Sequence, residues 1–441
     1  MLRRQTQHVA VLWLTTPIAA RRLRLYSAFD VTRARRLAAL DLGTTKACCA
    51  IADVDSDGLR VLGFGQSPSR GVRKGAIVDI ERAAEAVAEA VDATERMSGL
   101  PVDAVVVGIA GGHLASQNSR GVVAVPAGHR EVRHADITRA VEAARAVSVP
   151  SDREIVHVLP QQFTIDGQDG VRDAIGMIGT RLEVDTHIIT GSTTAIQNVV
   201  KVMHTAGLDV EDLVLQVLAS ARAVTTEDEI ERGVAVVDVG GGTTDVAVFG
   251  GGSVLHTGVV PVGGNHVTGD LAVGLRSDLE TAEAVKRAHG HSLQLTIPAE
   301  ATVTLTPMGY EEPVAVPQRY LAEVIGPRAR EMAVLIDTEI SRSGAAARLP
   351  GGVVMCGGGA LLRGFAEIVQ QVTDLPVRVA APPVAHGMDE GVRGPEHATL
   401  VGLMLWGDKR GGSRTFARTN GHGGNGHTMN TRFGRWLREL F

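Results

Sequence analysis

The chain holds 441 residues with a formal net charge of −5 and only 3% aromatic residues, which excludes a strongly basic nucleic-acid coat and leaves few base-stacking platforms. Hydrophobic residues at 44% against 21% charged exclude an intrinsically disordered chain, and the length suits two or three domains. No apolar run reaches the ~18 residues that a spanning helix needs, and three cysteines (Cys48, Cys49 and Cys356) make neither a disulfide framework nor a zinc spacing.

The first 37 residues carry eight arginines and one acidic residue, Asp30, around the apolar stretch Val9 to Ala20. Arg21, Arg22 and Arg24 follow that stretch where a small-residue cleavage site would belong in a targeting peptide. Residues 1–36 therefore read as a basic, unstructured extension, with Val31 as the expected true start.

Order is expected from Leu37. Leu37–Leu42 reads as a strand, Gly43-Thr44-Thr45 as a tight turn and Lys46–Ala52 as the returning strand, on which Cys48 and Cys49 point to opposite faces. A turn at Asp55–Gly58 and a strand over Leu59–Phe64 follow. Ile80–Ser98 is predicted as a helix with one apolar stripe closed by Gly99, and Ala104–Ile109 as a buried strand. From about 114 to 192 the chain has a small α/β pattern of its own: strand Gly121–Val125, helix Ala135–Val147, and strands Glu154–Leu159 and Leu182–Thr190.

The opening pattern then returns. Val234–Val239 reads as a strand, Gly240 to Thr244 as a turn and Asp245–Phe249 as a strand. Two such hairpins point to an internal duplication with a nucleotide between the halves. Glycines let backbone N–H groups approach phosphate oxygens, and threonine hydroxyls add donors. Asp41 and Asp238 at the strand ends repel phosphate, so they make sense only with a cation between, expected to be Mg²⁺ in its water shell. Lys46 supplies a positive point charge for the phosphates. No G-x-x-x-x-G-K-[ST] loop occurs. Later, Val353–Cys356 runs into Gly357-Gly358-Gly359 and a helix predicted from Ala360, where bare backbone can lie against a nucleotide. His289 and His291, and His422 and His427, lack the cysteine or carboxylate partners of a metal site.

Together these residues resemble the actin/Hsp70/sugar-kinase superfamily, with phosphate 1 at Asp41–Lys46, phosphate 2 at Asp238–Asp245 and the adenosine motif at Met355–Gly364. Within it the chain is similar to the FtsA family of bacterial cell-division proteins from about Leu37 to Gly407 and again at the C-terminus. The specific stretches are Ser67-Pro68-Ser69-Arg70-Gly71, Pro160-Gln161-Gln162-Phe163 with Ile165–Gln168, Leu218-Ala219-Ser220-Ala221, and Gly263-Gly264-Asn265 with Asp270.

The resemblance implies an α/β, two-lobed actin/Hsp70-like ATPase fold of duplicated RNase H-like domains. It also implies subdomain 1A over 37–113 and 193–233, an inserted SHS2-like subdomain 1C over 114–192, 2A over 234–274, 2B over 275–335, and the second part of 2A with the return to 1A over 336–407. It implies that ATP and Mg²⁺ are held by Asp41, Gly43, Thr44, Thr45, Lys46, Asp238, Gly240, Gly241, Gly242, Thr243, Thr244 and Gly264. Glu283 and Lys286 reach the ribose and adenine, and Gly357, Gly358 and Gly359 back the adenosine. Gln216 stands where many relatives carry a water-orienting glutamate, and Asp245 is the other candidate for that role. Glutamine is no general base, so hydrolysis should be slow. The implied function is polymerisation on the cytoplasmic face of the inner membrane at the division site, tethering FtsZ through its C-terminal tail. The alternative is a small-molecule kinase of the same superfamily.

The C-terminus fits that picture. Residues 408–429 read as a flexible linker spanning roughly 25 Å as a coil. Phe433, Trp436, Leu437, Leu440 and Phe441 then fall on one face of a helix over 430–441, flanked by Arg432, Arg435 and Arg438. A basic amphipathic helix of this kind suits an anionic lipid surface, with docking on the protein's own core or in a partner's groove as the alternatives.

Overall fold

The computed structural model describes residues 35–409 apart from 56–57, 129, 147–148 and 384–391. Residues 1–34 of the expected extension, part of the turn at 55–58, the linker from 410 onward and the amphipathic helix lie outside the described residues, whereas Arg35 and Arg36, expected in the extension, already belong to the first strand.

Two five-stranded sheets share one topology. In the first, Arg35–Leu42, Lys46–Asp55 and Gly58–Pro68 form an antiparallel meander, and Ala104–Ile109 and Asp209–Leu215 extend it in parallel on the other side. In the second, Val234–Val239, Thr244–Gly250 and Ser253–Val260 form the meander, extended by Val353–Cys356 and Val377–Val379. The duplication read from the two glycine turns is thus a duplication of whole sheets.

The central strands are apolar on both faces because helices cover both. On the outer face of the first sheet lies the helix Ile80–Ser98, capped by Asp79, which accepts from the Arg82 N–H, and stopped at Gly99 with φ of 68°. The outer face of the second packs on the helices Gly264–Leu275, Gln318–Arg342 and Phe365–Thr373. Between the sheets, the helices Gln216–Val224 and Ala398–Lys409 share one core with Leu37, Ala39, Val234, Val236 and Val354, so a single apolar layer joins the lobes. Cys48 belongs to this layer and Cys49 to the outer core of the first lobe, on opposite faces of their strand. Among the described residues no helix is long and apolar enough to cross a membrane.

The insert folds around its own core, with the helix His134–Arg145 over a sheet ordered Leu114–Ala124, Arg181–Ser192, Arg153–Ile165, Gln168–Val171. It grows from the first lobe yet rests on the second. Gln161 Nε2 donates to the Val254 carbonyl (2.7 Å), Ser116 Oγ to the Thr257 carbonyl (2.7 Å), and His187 Nε2 meets Thr257 Oγ1 at 2.9 Å.

Three local expectations are corrected. The glycine run Gly357–Gly359 opens into a 3-10 turn, Gly358–Leu361, not an α-helix. Gly357 and Gly364 both hold positive φ (82° and 80°), which breaks the helical path until Phe365. Secondly, the strand expected to stop at Leu159 continues to Ile165 through Pro160, which sits beside a register shift where a missing N–H is tolerated. Finally, the last helix runs to Lys409, two residues into the expected linker.

Candidate functional site

A cleft of about 1130 Å³ separates the lobes, and both glycine hairpins line it. The hairpins are built alike: Gly43 N–H donates to the Lys46 carbonyl and Gly240 N–H to the Thr243 carbonyl, each at 2.9 Å. Four residues turn each chain, between Leu42 and Ala47 and between Val239 and Thr244. Matching the turns pairs Asp41 with Asp238 and Lys46 with Thr243. The cross-strand neighbours then differ: Cys48 stands opposite Asp41, but Asp245 stands opposite Asp238. One lobe offers a carboxylate and an ammonium, the other two carboxylates.

The hairpins also face each other at close range. A Cβ on Gly241 would lie 2.4 Å from Thr45 Cγ2, and one on Gly242 would lie 2.6 Å from Thr44 Oγ1. Only glycine leaves room there for anything else to enter. Behind the second turn, the N–H groups of Gly264 and Asn265 donate to the carbonyls of Gly240 and Gly241, which fixes its orientation.

Three carboxylates meet at the cleft floor, all buried. Asp41 accepts from Gln216 Nε2 at 2.8 Å. Burial pushes its carboxyl up to about 7; nearby Lys46 opposes that shift and Asp238 adds to it. Asp238 accepts from Ser220 Oγ and from Thr399 Oγ1 (2.9 Å), and burial raises its carboxyl against those bonds. Asp245 is also pushed to about 7, by burial and then by Asp238; one oxygen accepts from Thr243 Oγ1 at 3.0 Å. Its other oxygen, Oδ1, is buried with no partner among the described residues. Clustered buried carboxylates with an orphaned oxygen are the donor set that a hard divalent cation satisfies. The residues therefore fit Mg²⁺.

Lys46 Nζ donates to His397 Nδ1 at 3.2 Å. On the opposite wall, Lys286 Nζ reaches Glu283 Oε2 (2.6 Å), Thr268 Oγ1 (2.8 Å) and the Gly264 carbonyl (3.1 Å). The two residues act as one hydrogen-bonded unit, spaced one turn apart on the helix Leu279–His289. Gly357 donates to the Pro395 carbonyl, and a Cβ on Gly359 would lie 2.4 Å from Val239. The glycine run therefore lies flat against the end of the strand Val234–Val239, which carries Asp238.

Asp41, Gly43–Lys46, Gln216, Asp238, Gly240–Thr243, Asp245, Gly264, Glu283, Lys286 and Gly357–Gly359 all line this cleft. Thr244 does not, and its assignment is corrected. Side chains alternate along a strand, so with Thr243 and Asp245 facing the cleft, Thr244 faces the core and donates to the Val262 carbonyl at 2.8 Å. Sequence reasoning missed the segment Gly394–Thr399, which touches the glycine run through Pro395, Lys46 through His397 and Asp238 through Thr399. It also missed the role of Ser220, although Leu218–Ala221 had been singled out as a specific motif.

Residues 235–402 match the family model described as cell division protein FtsA, and residues 111–190 match the SHS2 domain inserted in FTSA. The chain is 40% identical to the cell division protein FtsA of Pseudomonas aeruginosa over 86% of its length and 90% of that protein's. It is 34% identical to that of Escherichia coli strain K12, over 91% and 95%. This chain belongs to the FtsA family of cell-division proteins. Solved structures carry the fold more widely. A PilM-PilN type IV pilus biogenesis complex aligns with a TM-score of 0.61 at 18% identity, covering 84% of this chain and 98% of that one. MreB 5 of Spiroplasma citri, solved bound to AMPPNP, aligns with a TM-score of 0.52 at 14% identity, covering 85% and 96%. The fold is that of the actin-like ATPases, and the insert is the one that marks FtsA proteins.

Proposed function

We propose that this FtsA-family chain binds ATP with Mg²⁺ in the interlobe cleft, polymerises on the cytoplasmic face of the membrane and holds FtsZ there through the FtsZ C-terminal tail. The observation that carries the nucleotide part is the pair of hairpins facing each other across three buried carboxylates, one of which has an unpartnered oxygen. Asp41, Asp238 and Asp245 would hold the metal through its waters, and the metal would neutralise phosphate charge when bound. Thr44, Thr45, Lys46 and the amides of Gly240–Thr243 supply donors for the phosphates. Lys286 and Glu283 present paired polar groups for the ribose and base.

Hydrolysis is a minor activity in this reading. Gln216 already donates its amide to Asp41, and an amide takes up no proton. Of the two candidates for orienting water, Asp245 alone is a carboxylate. A small-molecule kinase is disfavoured by family membership and by this same lack of a base at Gln216.

Titration with a fluorescent ATP analogue tests the reading: binding is expected with Mg²⁺ and should weaken by at least about tenfold in EDTA. Equal affinity with and without the metal would count against the role of the carboxylates. The membrane part rests on Phe433, Trp436, Leu437, Leu440 and Phe441 beside Arg432, Arg435 and Arg438. Each arginine near an anionic leaflet contributes about 1 kcal/mol, which is reversible for one copy and cumulative in a polymer. Trp436→Glu is expected to leave ATP binding intact and abolish co-sedimentation with anionic liposomes. Unchanged pelleting would remove this segment as the anchor.

A further inference from the structure

Lys46 sits in the field of Asp41 and Asp238, yet no carboxylate of the described residues is in ion-pair contact with it. Its hydrogen-bond partner is a neutral nitrogen, His397 Nδ1. An ammonium only donates, so Nδ1 must be the bare nitrogen and the ring proton lies on Nε2. That ring is held from several sides. Phe64 meets it edge-on with centroids 5.3 Å apart, and the residue's backbone is pinned by its amide N–H, which donates to the Gly394 carbonyl at 3.0 Å. Nε2 stands 4.0 Å from Glu396 Oε1, beyond hydrogen-bond range. Burial, reinforced by Lys46, keeps the imidazole neutral by lowering its titration to about 4.

A lysine left free beside two buried carboxylates would fold onto one of them. Its charge would be spent on a group that the metal needs, and it would be turned away from the phosphates. We infer that His397 is a positioning residue that holds Lys46 off Asp41 and Asp238, so that the ammonium stays available to phosphate and the carboxylates to the cation. This rests on the nucleotide reading of the cleft and deepens it. It also explains the chain path: the 3-10 turn Pro395–His397 that carries the imidazole is tied to the glycine run through the Gly357 N–H.

The test is a double-mutant cycle on the full chain, reading MgATP affinity by fluorescence titration. Lys46→Met and His397→Leu should each weaken binding by about tenfold or more, and the double variant should bind no more weakly than Lys46→Met alone. His397→Asn, whose Oδ1 can stand in for Nδ1, should stay within about threefold of wild type. Losses that multiply in the double variant would overturn the inference, because His397 would then act elsewhere than through Lys46. If His397→Leu does not fold, His397→Asn decides: affinity within threefold supports the role, and a larger loss overturns it. Absence of MgATP binding by the wild-type chain would overturn the nucleotide reading and this inference with it. Binding with multiplicative losses overturns the inference alone.

Discussion

Asp245→Asn is expected to raise the melting temperature of the nucleotide-free protein at pH 8 while removing the extra stability that MgATP confers on the wild type. Asp245 lies directly opposite Asp238 in the strand register, has one unpartnered oxygen and titrates near 7 instead of its ordinary 3.8. A carboxyl with a raised folded-state pKa binds a proton in the folded protein that the unfolded chain has already lost. Stability should therefore fall as pH rises from about 4 through about 7 and level off above. Asp41, also near 7, adds to the same slope. Removing the Asp245 charge should increase Tm by roughly 3–6 °C at pH 8. The difference should shrink as pH falls through about 7 and disappear only near pH 4, where the unfolded carboxyl is protonated as well. Differential scanning fluorimetry across pH 5–8, with and without MgATP, makes the comparison. A variant that melts lower than wild type at pH 8 would show that Asp245 is stabilised by a contact other than those described.

Gly402→Val should be the most damaging single substitution outside the cleft. A Cβ at this position would lie 1.8 Å from the Ala219 carbonyl oxygen and 2.3 Å from its carbon. Backbone cannot yield as a side-chain tip does, so the helices Gln216–Val224 and Ala398–Lys409 must part. The cost should be about 3 kcal/mol, read as a fall in the denaturant midpoint with an unchanged slope. The damage should also reach the cleft. Gln216 and Ser220 hang from one helix and Thr399 from the other, and all three hold Asp41 or Asp238. Loss of MgATP binding is expected even under conditions where the variant remains folded. Wild-type stability in this variant would mean that the two helices already have room to separate.

Local chemistry made much of this molecule readable. The two turns announce themselves because only glycine serves where backbones face each other within side-chain distance, and the helix Ile80–Ser98 carries its cap, stripe and stop in sequence. The orientation of Thr244 was also within reach, since alternation from Thr243 and Asp245 dictates it. The insert was recognised but its strands were drawn too short. Ser116 to Arg120 are polar, and Pro160 looks like a terminator, yet Ser116 reaches the second lobe, Asn118, Ser119 and Arg120 bond within the insert, and the proline sits beside an irregularity in the ladder. His397 and Thr399 gave no signal at all. The first meets its partner 351 residues away and the second 161 away, and no periodicity records such a meeting. Side chains that organise a cleft from the far end of the chain become visible only when the sheets are stacked.

The insert's rest on the strand Ser253–Val260 has a consequence for assembly. An open sheet border is an invitation to any passing strand, since its carbonyls and amides await partners. Here Gln161 and Ser116 occupy the outward carbonyls of Val254 and Thr257, and Arg172 pairs with Glu231 at the same seam. Of the second sheet's two borders, this one is sealed and the short strand Val377–Val379 forms the other. Copies of this chain that line up are therefore not expected to anneal sheet to sheet along Ser253–Val260, since that would first require tearing the insert from its seat.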